Sequence, residues 1–167
     1  ENVYTYAIRH NLIYQLKYLS KKYPDYASFK SATISDIFTK EQLQETTTLE
    51  VNTLSSILLI NKGDYQFEIQ ELPQETQFSP VYAIAVSDFD KDGDQDLFLG
   101  GNLDGVQPEF GRYDASFGTY LENIGAHQFK FHQTGSGIKV KGQVRDLKII
   151  KDQLFISKNN DSLEVYN

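Results

Sequence analysis

Asp88-Phe89-Asp90-Lys91-Asp92-Gly93-Asp94-Gln95-Asp96 lies between two apolar runs, Tyr82-Ala83-Ile84-Ala85-Val86 and Leu97-Phe98-Leu99. Carboxylates fall at alternate positions and a glycine stands sixth. Five carboxylates in nine residues repel one another unless a cation sits among them. A hard, oxygen-seeking cation fits, because Ca2+ takes roughly 6–8 oxygen ligands and a loop with this spacing supplies them. By loop position the expected ligands are the side chains of Asp88, Asp90, Asp92 and Asp96 and the backbone carbonyl of Asp94. Gly93 makes the turn. The competing reading is a solvated acidic turn without metal. An EF-hand is excluded, since it needs a bidentate Glu at the twelfth position and flanking helices; here that position is Leu99 and the flanks read as buried strands.

Working outward, 167 residues suffice for one domain with a real core or for part of a repeat architecture. A hydrophobic share of 40% with 11 Tyr and 11 Phe excludes a disordered tail. The net charge of -7, with no basic cluster, argues against nucleic acid or an anionic membrane as partner. Cysteine is absent, which removes disulfides, thiolate metal sites and cysteine nucleophiles. No apolar run is long enough to span a bilayer. The chain starts at Glu1 and contains no Met, so it reads as a processed or excised piece with any targeting signal outside it.

Upstream, Ala7, Ile8, Leu12, Leu16, Leu19 and Tyr23 form a helical stripe that Pro24 stops. Tyr26, Phe29, Ile34, Ile37 and Phe38 continue in short helical pieces, and Thr39 with Gln42 makes a capping box for a helix through Glu45. Residues 1–45 are therefore expected to be helical, their aromatic and Leu stripe packing rather than holding a cofactor. From Thr46 the period changes to two. Strands are expected at Glu50–Leu54, Ser56–Ile60 and Tyr65–Ile69, the last two joined by a turn at Asn61-Lys62-Gly63-Asp64.

That hairpin recurs. Asn61-Lys62-Gly63-Asp64-Tyr65-Gln66-Phe67 matches Asn123-Ile124-Gly125-Ala126-His127-Gln128-Phe129 at an offset of 62. Val81 through Val86 matches Val144 through Ile149 at 63, and Leu97-Phe98-Leu99 matches Leu154-Phe155-Ile156 at 57, Lys151-Asp152-Gln153 replacing the acidic loop. Repeats of this length, with four short strands each, are how propeller blades read. The expected fold is mainly β with an N-terminal α-helical segment. Its β part, 46–167, holds about two four-stranded antiparallel blades, at about 54–117 and 118–167, forming a partial β-propeller. Two blades cannot close a ring, so one blade face is left for the helices, another chain or a second copy to cover, or the rest of the ring has been removed.

These residues resemble the FG-GAP/VCBS-type propeller repeat. The resemblance rests on Val86 through Leu97 and on the Asn-x-Gly-x-x-x-Phe hairpins at Asn61 and Asn123. More narrowly, the helical segment, Asn102-Leu103-Asp104-Gly105-Val106, Pro108 through Ser116 and Val144-Arg145-Asp146-Leu147 look like the C-terminal part of bacterial ASPIC/UnbV-like VCBS-repeat proteins. What the resemblance implies is an exported or cell-surface, integrin-like propeller in which calcium loops stiffen the ring. It carries the calcium ligands onto Asp88, Asp90, Asp92, Asp94 and Asp96.

The stretch from Asn102 to Phe117 is longer than a hairpin needs, and loops of that length are often functional. Asn102, Asp104, Arg112, Tyr113 and Asp114 are expected to belong to a ligand-facing surface; the competing reading pairs Arg112 with Asp114 internally. His10, His127 and His132 show no metal spacing, and no nucleophile elbow, zinc motif or phosphate loop is present. The first functional expectation is a calcium-binding module that recognises a protein or glycan. The alternatives are a surface polysaccharide hydrolase or lyase using loop carboxylates, and a purely architectural domain.

Overall fold

The computed structural model describes residues 2–132 and 137–167, and the chain divides into two units, Glu1–Asn52 and Thr53–Asn167. The first unit holds five short helices, α1 (Arg9–Gln15), α2 (Leu19–Lys22), α3 (Tyr26–Phe29), α4 (Ile34–Ile37) and α5 (Lys40–Gln44), and side-chain caps fix the last three. Asp25 with Ser28, Thr33 with Asp36 and Thr39 with Gln42 each form a capping box, satisfying the first free amides of α3, α4 and α5. The Thr39 box is the one the sequence predicts. The expected continuous stripe instead breaks at Leu16, whose φ of -118° and ψ of 73° leave the helix. Leu19, Tyr23, Ala32 and Ile37 form a small core, with Leu12, Ile13, Leu16, Phe29 and Phe38 packed around it. The stripe thus packs within its own unit.

The expected strand at Glu50–Leu54 is not formed, and Val51 and Leu54 are exposed. A strand needs a partner for its amides and carbonyls, and no ladder reaches these residues.

In the second unit, β1 (Ile57–Gly63) and β2 (Gln66–Glu71) form a two-stranded sheet. The next four strands, β3 (Val81–Ser87), β4 (Asp96–Gly101), β5 (Thr119–Asn123) and β6 (Phe129–His132), form one antiparallel meander. A three-stranded sheet follows from β7 (Val144–Ile150), β8 (Gln153–Lys158) and β9 (Glu164–Tyr166). The architecture is therefore three small antiparallel sheets of two, four and three strands, not two blades of four, and no sheet closes on itself among the described residues. The cause is pairing: β5 binds β4 through Leu97↔Leu121, Phe98↔Tyr120 and Leu99↔Thr119, so the four-stranded sheet runs across residues 117 and 118.

Turn chemistry carries the repeat into the backbone. Asp64 and Tyr65 (φ 49° and 59°), Ala126 and His127 (51° and 61°), and Lys151 and Asp152 (50° and 62°) each place two successive residues at positive φ. That is the two-residue turn whose twist matches paired strands. Where β7 and β8 are joined this tightly, β3 and β4 are separated by the whole acidic loop. Ala83, Ala85, Phe98 and Tyr120 of the four-stranded sheet meet Val144, Leu147, Leu154 and Ile156 of the three-stranded one in a single buried core, which Val140 joins.

Candidate metal centre

The acidic loop begins where β3 stops pairing, at Ser87 opposite Asp96. Its conformation is set by side-chain acceptors for its own amides. Asp88 accepts from the backbone N–H of Asp92 and of Gly93, both at 3.1 Å. Asp90 accepts from the N–H of Asp92 at 3.1 Å and Asp92 from that of Asp94 at 2.9 Å. Gly93 sits at φ 101°, a conformation that a side chain would strain.

Asp88, Asp90 and Asp96 each bring one carboxylate oxygen into a group lying within 4.8 Å, which could hold a metal ion. Asp92 and Asp94 stand outside this side-chain group; the part expected of Asp94 was its carbonyl. Asp96 is 0% exposed. Its Oδ2 accepts from the Phe89 N–H and the Tyr120 hydroxyl, both at 3.0 Å, and its Oδ1 accepts from the Asn123 N–H at 2.8 Å. Asp96 is thus a structural hub as well as a candidate ligand. The sequence reading missed the Tyr120 contact, because nothing local links residues 24 apart.

The surroundings of Asp90 disfavour its charged form. Its carboxyl is held above the usual range, first by loss of solvation and then by the negative charges of Asp92, Asp96 and Glu122. The Tyr120 phenol is pushed far above its usual range by burial, and next by its bond to Asp96. Tyr120 therefore contributes stability that is fully present below about pH 10 and drains away as pH rises from there toward the folded-state value. Denaturant melts between pH 8 and 11 should show stability falling above pH 10, and Tyr120→Phe should flatten that fall.

Beside the loop opens a cleft of about 980 Å³, bordered by Asp88, Asp90 and Lys91 on one side and by Lys151 and Asp152 on the other, with Tyr120 among its walls. The long connection after β4 divides into two parts. Asn102, expected to face a ligand, is buried: its amide nitrogen donates to the carbonyls of Ser116 (2.7 Å) and Gly142 (3.0 Å), and its Oδ1 accepts from the Ser116 N–H (3.1 Å). A short-range motif does not reveal such a staple. Asp104 is half-buried, its N–H bonded to Gln143 at 3.2 Å. Arg112, Tyr113 and Asp114 are exposed, and Leu103 and Tyr113 close the loop by a backbone bridge. Arg112 and Asp114 form no ion pair among the described residues. His10 bonds the Tyr26 hydroxyl and His132 pairs with Glu122.

No family model, curated protein or solved structure matches this chain. No helix among the described residues is long and apolar enough to cross a membrane.

Proposed function

We propose that this chain is a calcium-binding piece of an exported, FG-GAP/VCBS-type propeller that acts as a recognition or scaffold module for a protein or glycan. The observation that carries the reading is the gathering of Asp88, Asp90 and Asp96 within 4.8 Å at the mouth of one loop. In that place calcium would be held by these carboxylates, with Asp92 and the Asp94 carbonyl as further oxygen donors. It would supply the positive charge that the cluster lacks and fix the loop between β3 and β4. The adjoining cleft supports recognition, because a cation at its rim keeps coordination positions for ligand oxygens while Tyr120 offers an aromatic wall.

Extracellular calcium modules bind at ~10⁻⁴–10⁻³ M. At roughly 10 mM calcium the folded unit should gain about 1.4–2.7 kcal/mol over the chelated protein, a rise in melting temperature of roughly 4–12 °C. Melts in calcium and in excess chelator test this; coincident curves would refute it. Protons compete with the cation. Because the Asp90 value is raised in the folded, metal-free protein, that state binds a proton more readily as pH falls, and the calcium-induced rise should shrink toward acid pH. Asp90→Asn should reduce the rise at neutral pH.

A further inference from the structure

The two matching strand pairs of the repeat differ in one length. From β3 to β4 the chain runs through the acidic loop, whereas from β7 to β8 it turns in two residues, Lys151 and Asp152, a connection six residues shorter. Ser87 opposite Asp96 and Ile150 opposite Gln153 mark the same ladder position in the two pairs. The acidic loop of one sheet therefore has no counterpart in the other. Between the long loop and the short turn opens the cleft of about 980 Å³, large enough for a small organic ligand.

Its walls are of two kinds. Phe89, Tyr120 and Tyr166 supply rings, and Phe89, half-buried, stands edge-on to Tyr120 with 5.9 Å between centroids. Gln95, Gln153 and Asn167 supply carboxamides. Gln153 holds the repeat position that Asp96 holds in β4, so an uncharged amide replaces the buried carboxylate there, and it donates to the Asn167 side chain. Charge at the rim is mixed: Lys91 and Lys151 stand with Asp88, Asp90 and Asp152, and no excess of cations selects an anion. Rings and carboxamides together fit a ligand rich in hydroxyls. A carboxamide both donates and accepts, as a hydroxyl does, and an aromatic ring offers an apolar surface to the C–H face of a sugar. An extended peptide would call for a free strand edge or deep apolar pockets, whereas the mouth of this cleft is formed by a loop and a turn. We propose that the cleft binds a neutral oligosaccharide, a choice that rests on the recognition role proposed above and names its ligand class.

The probes are short cello-, xylo-, manno- and malto-oligosaccharides, with an oligogalacturonide as anionic control and a library of extended peptides as the other control, titrated into the 167-residue protein in calcium and in chelator. Saturable binding of a neutral series is expected. Gln95→Ala and Gln153→Ala should each weaken it roughly two- to tenfold, the share of one lost hydrogen bond. Phe89→Leu, which keeps an apolar side chain against the core, should weaken it severalfold through the lost ring face. Gln95 is exposed and meets Asn123 only through its backbone carbonyl, so an unchanged melting temperature certifies the fold of that variant. The proposal is overturned if no neutral series binds at millimolar concentration, if binding ignores all three substitutions, or if the oligogalacturonide or the peptides bind in preference. The calcium reading fails separately. Sugar binding that persists in chelator while the calcium melts coincide keeps the cleft and refutes the ion, and a calcium-raised melting temperature with no sugar bound does the reverse.

Discussion

Asp96→Ala should cost the β unit about 3–5 kcal/mol in chelator, and more in calcium, where the stabilisation by the ion is lost as well. The magnitude follows from what one buried carboxylate holds. It binds the amide at the start of the acidic loop, the amide that ends β5, and the hydroxyl of Tyr120 near the start of β5, at 3.0, 2.8 and 3.0 Å. Truncation leaves two part-buried backbone donors and a buried phenol without their acceptor, and each orphaned group carries a desolvation cost. Asp96→Asn sharpens the result. The amide retains one acceptor oxygen but presents an NH2 to a backbone donor, so about 2–4 kcal/mol should still be lost. A ligand that served only the metal would behave differently, its removal costing nothing in chelator. Urea melts of the two variants with and without calcium separate these cases, and full stability of Asp96→Asn in chelator would refute the hub.

Gly101→Ala should destabilise the same unit by about 3 kcal/mol, although it adds a single methyl group. A Cβ built on Gly101 falls 1.8 Å from the Pro80 carbonyl oxygen, which is backbone and cannot swing aside. That oxygen also accepts from the Asn102 N–H at 3.2 Å, and the β3–β4 register shifts at Val81/Ala83 in the same place. The clash therefore has to be relieved by parting the strands that lead into the acidic loop. Gly105→Ala is the matched comparison, since open space surrounds its Cβ position; it should change stability by no more than about 0.5 kcal/mol. Equal melting temperatures for the two alanine variants would refute the close approach of β4 to Pro80.

Local chemistry was legible from the residues alone. The alternating carboxylates with Gly93 gave a loop between two strands, Thr39 and Gln42 gave a helix start, and the Asn61 and Asn123 hairpins gave matching turns. The same kind of reading failed at Glu50–Leu54, where an extended pattern finds no strand to pair with, and at Leu16, where an apolar stripe continues through a break in the helix. It also placed Asn102 on a ligand-facing surface, whereas its amide is consumed by Ser116 and Gly142.

By itself, the order of residues determined the turns, the caps, the alternation of the strands and the position of the acidic loop, because each depends on interactions spanning a few bonds of the chain. Only the tertiary structure decided that β5 joins β4, that Asp96 is shut away beneath Tyr120, and that Asp88, Asp90 and Asp96 converge where Asp92 and Asp94 do not. Those outcomes rest on which edges pair and which faces stack. Backbone hydrogen bonding and burial of apolar area reward many arrangements locally, and one is selected only when distant segments compete for the same edge and the same core.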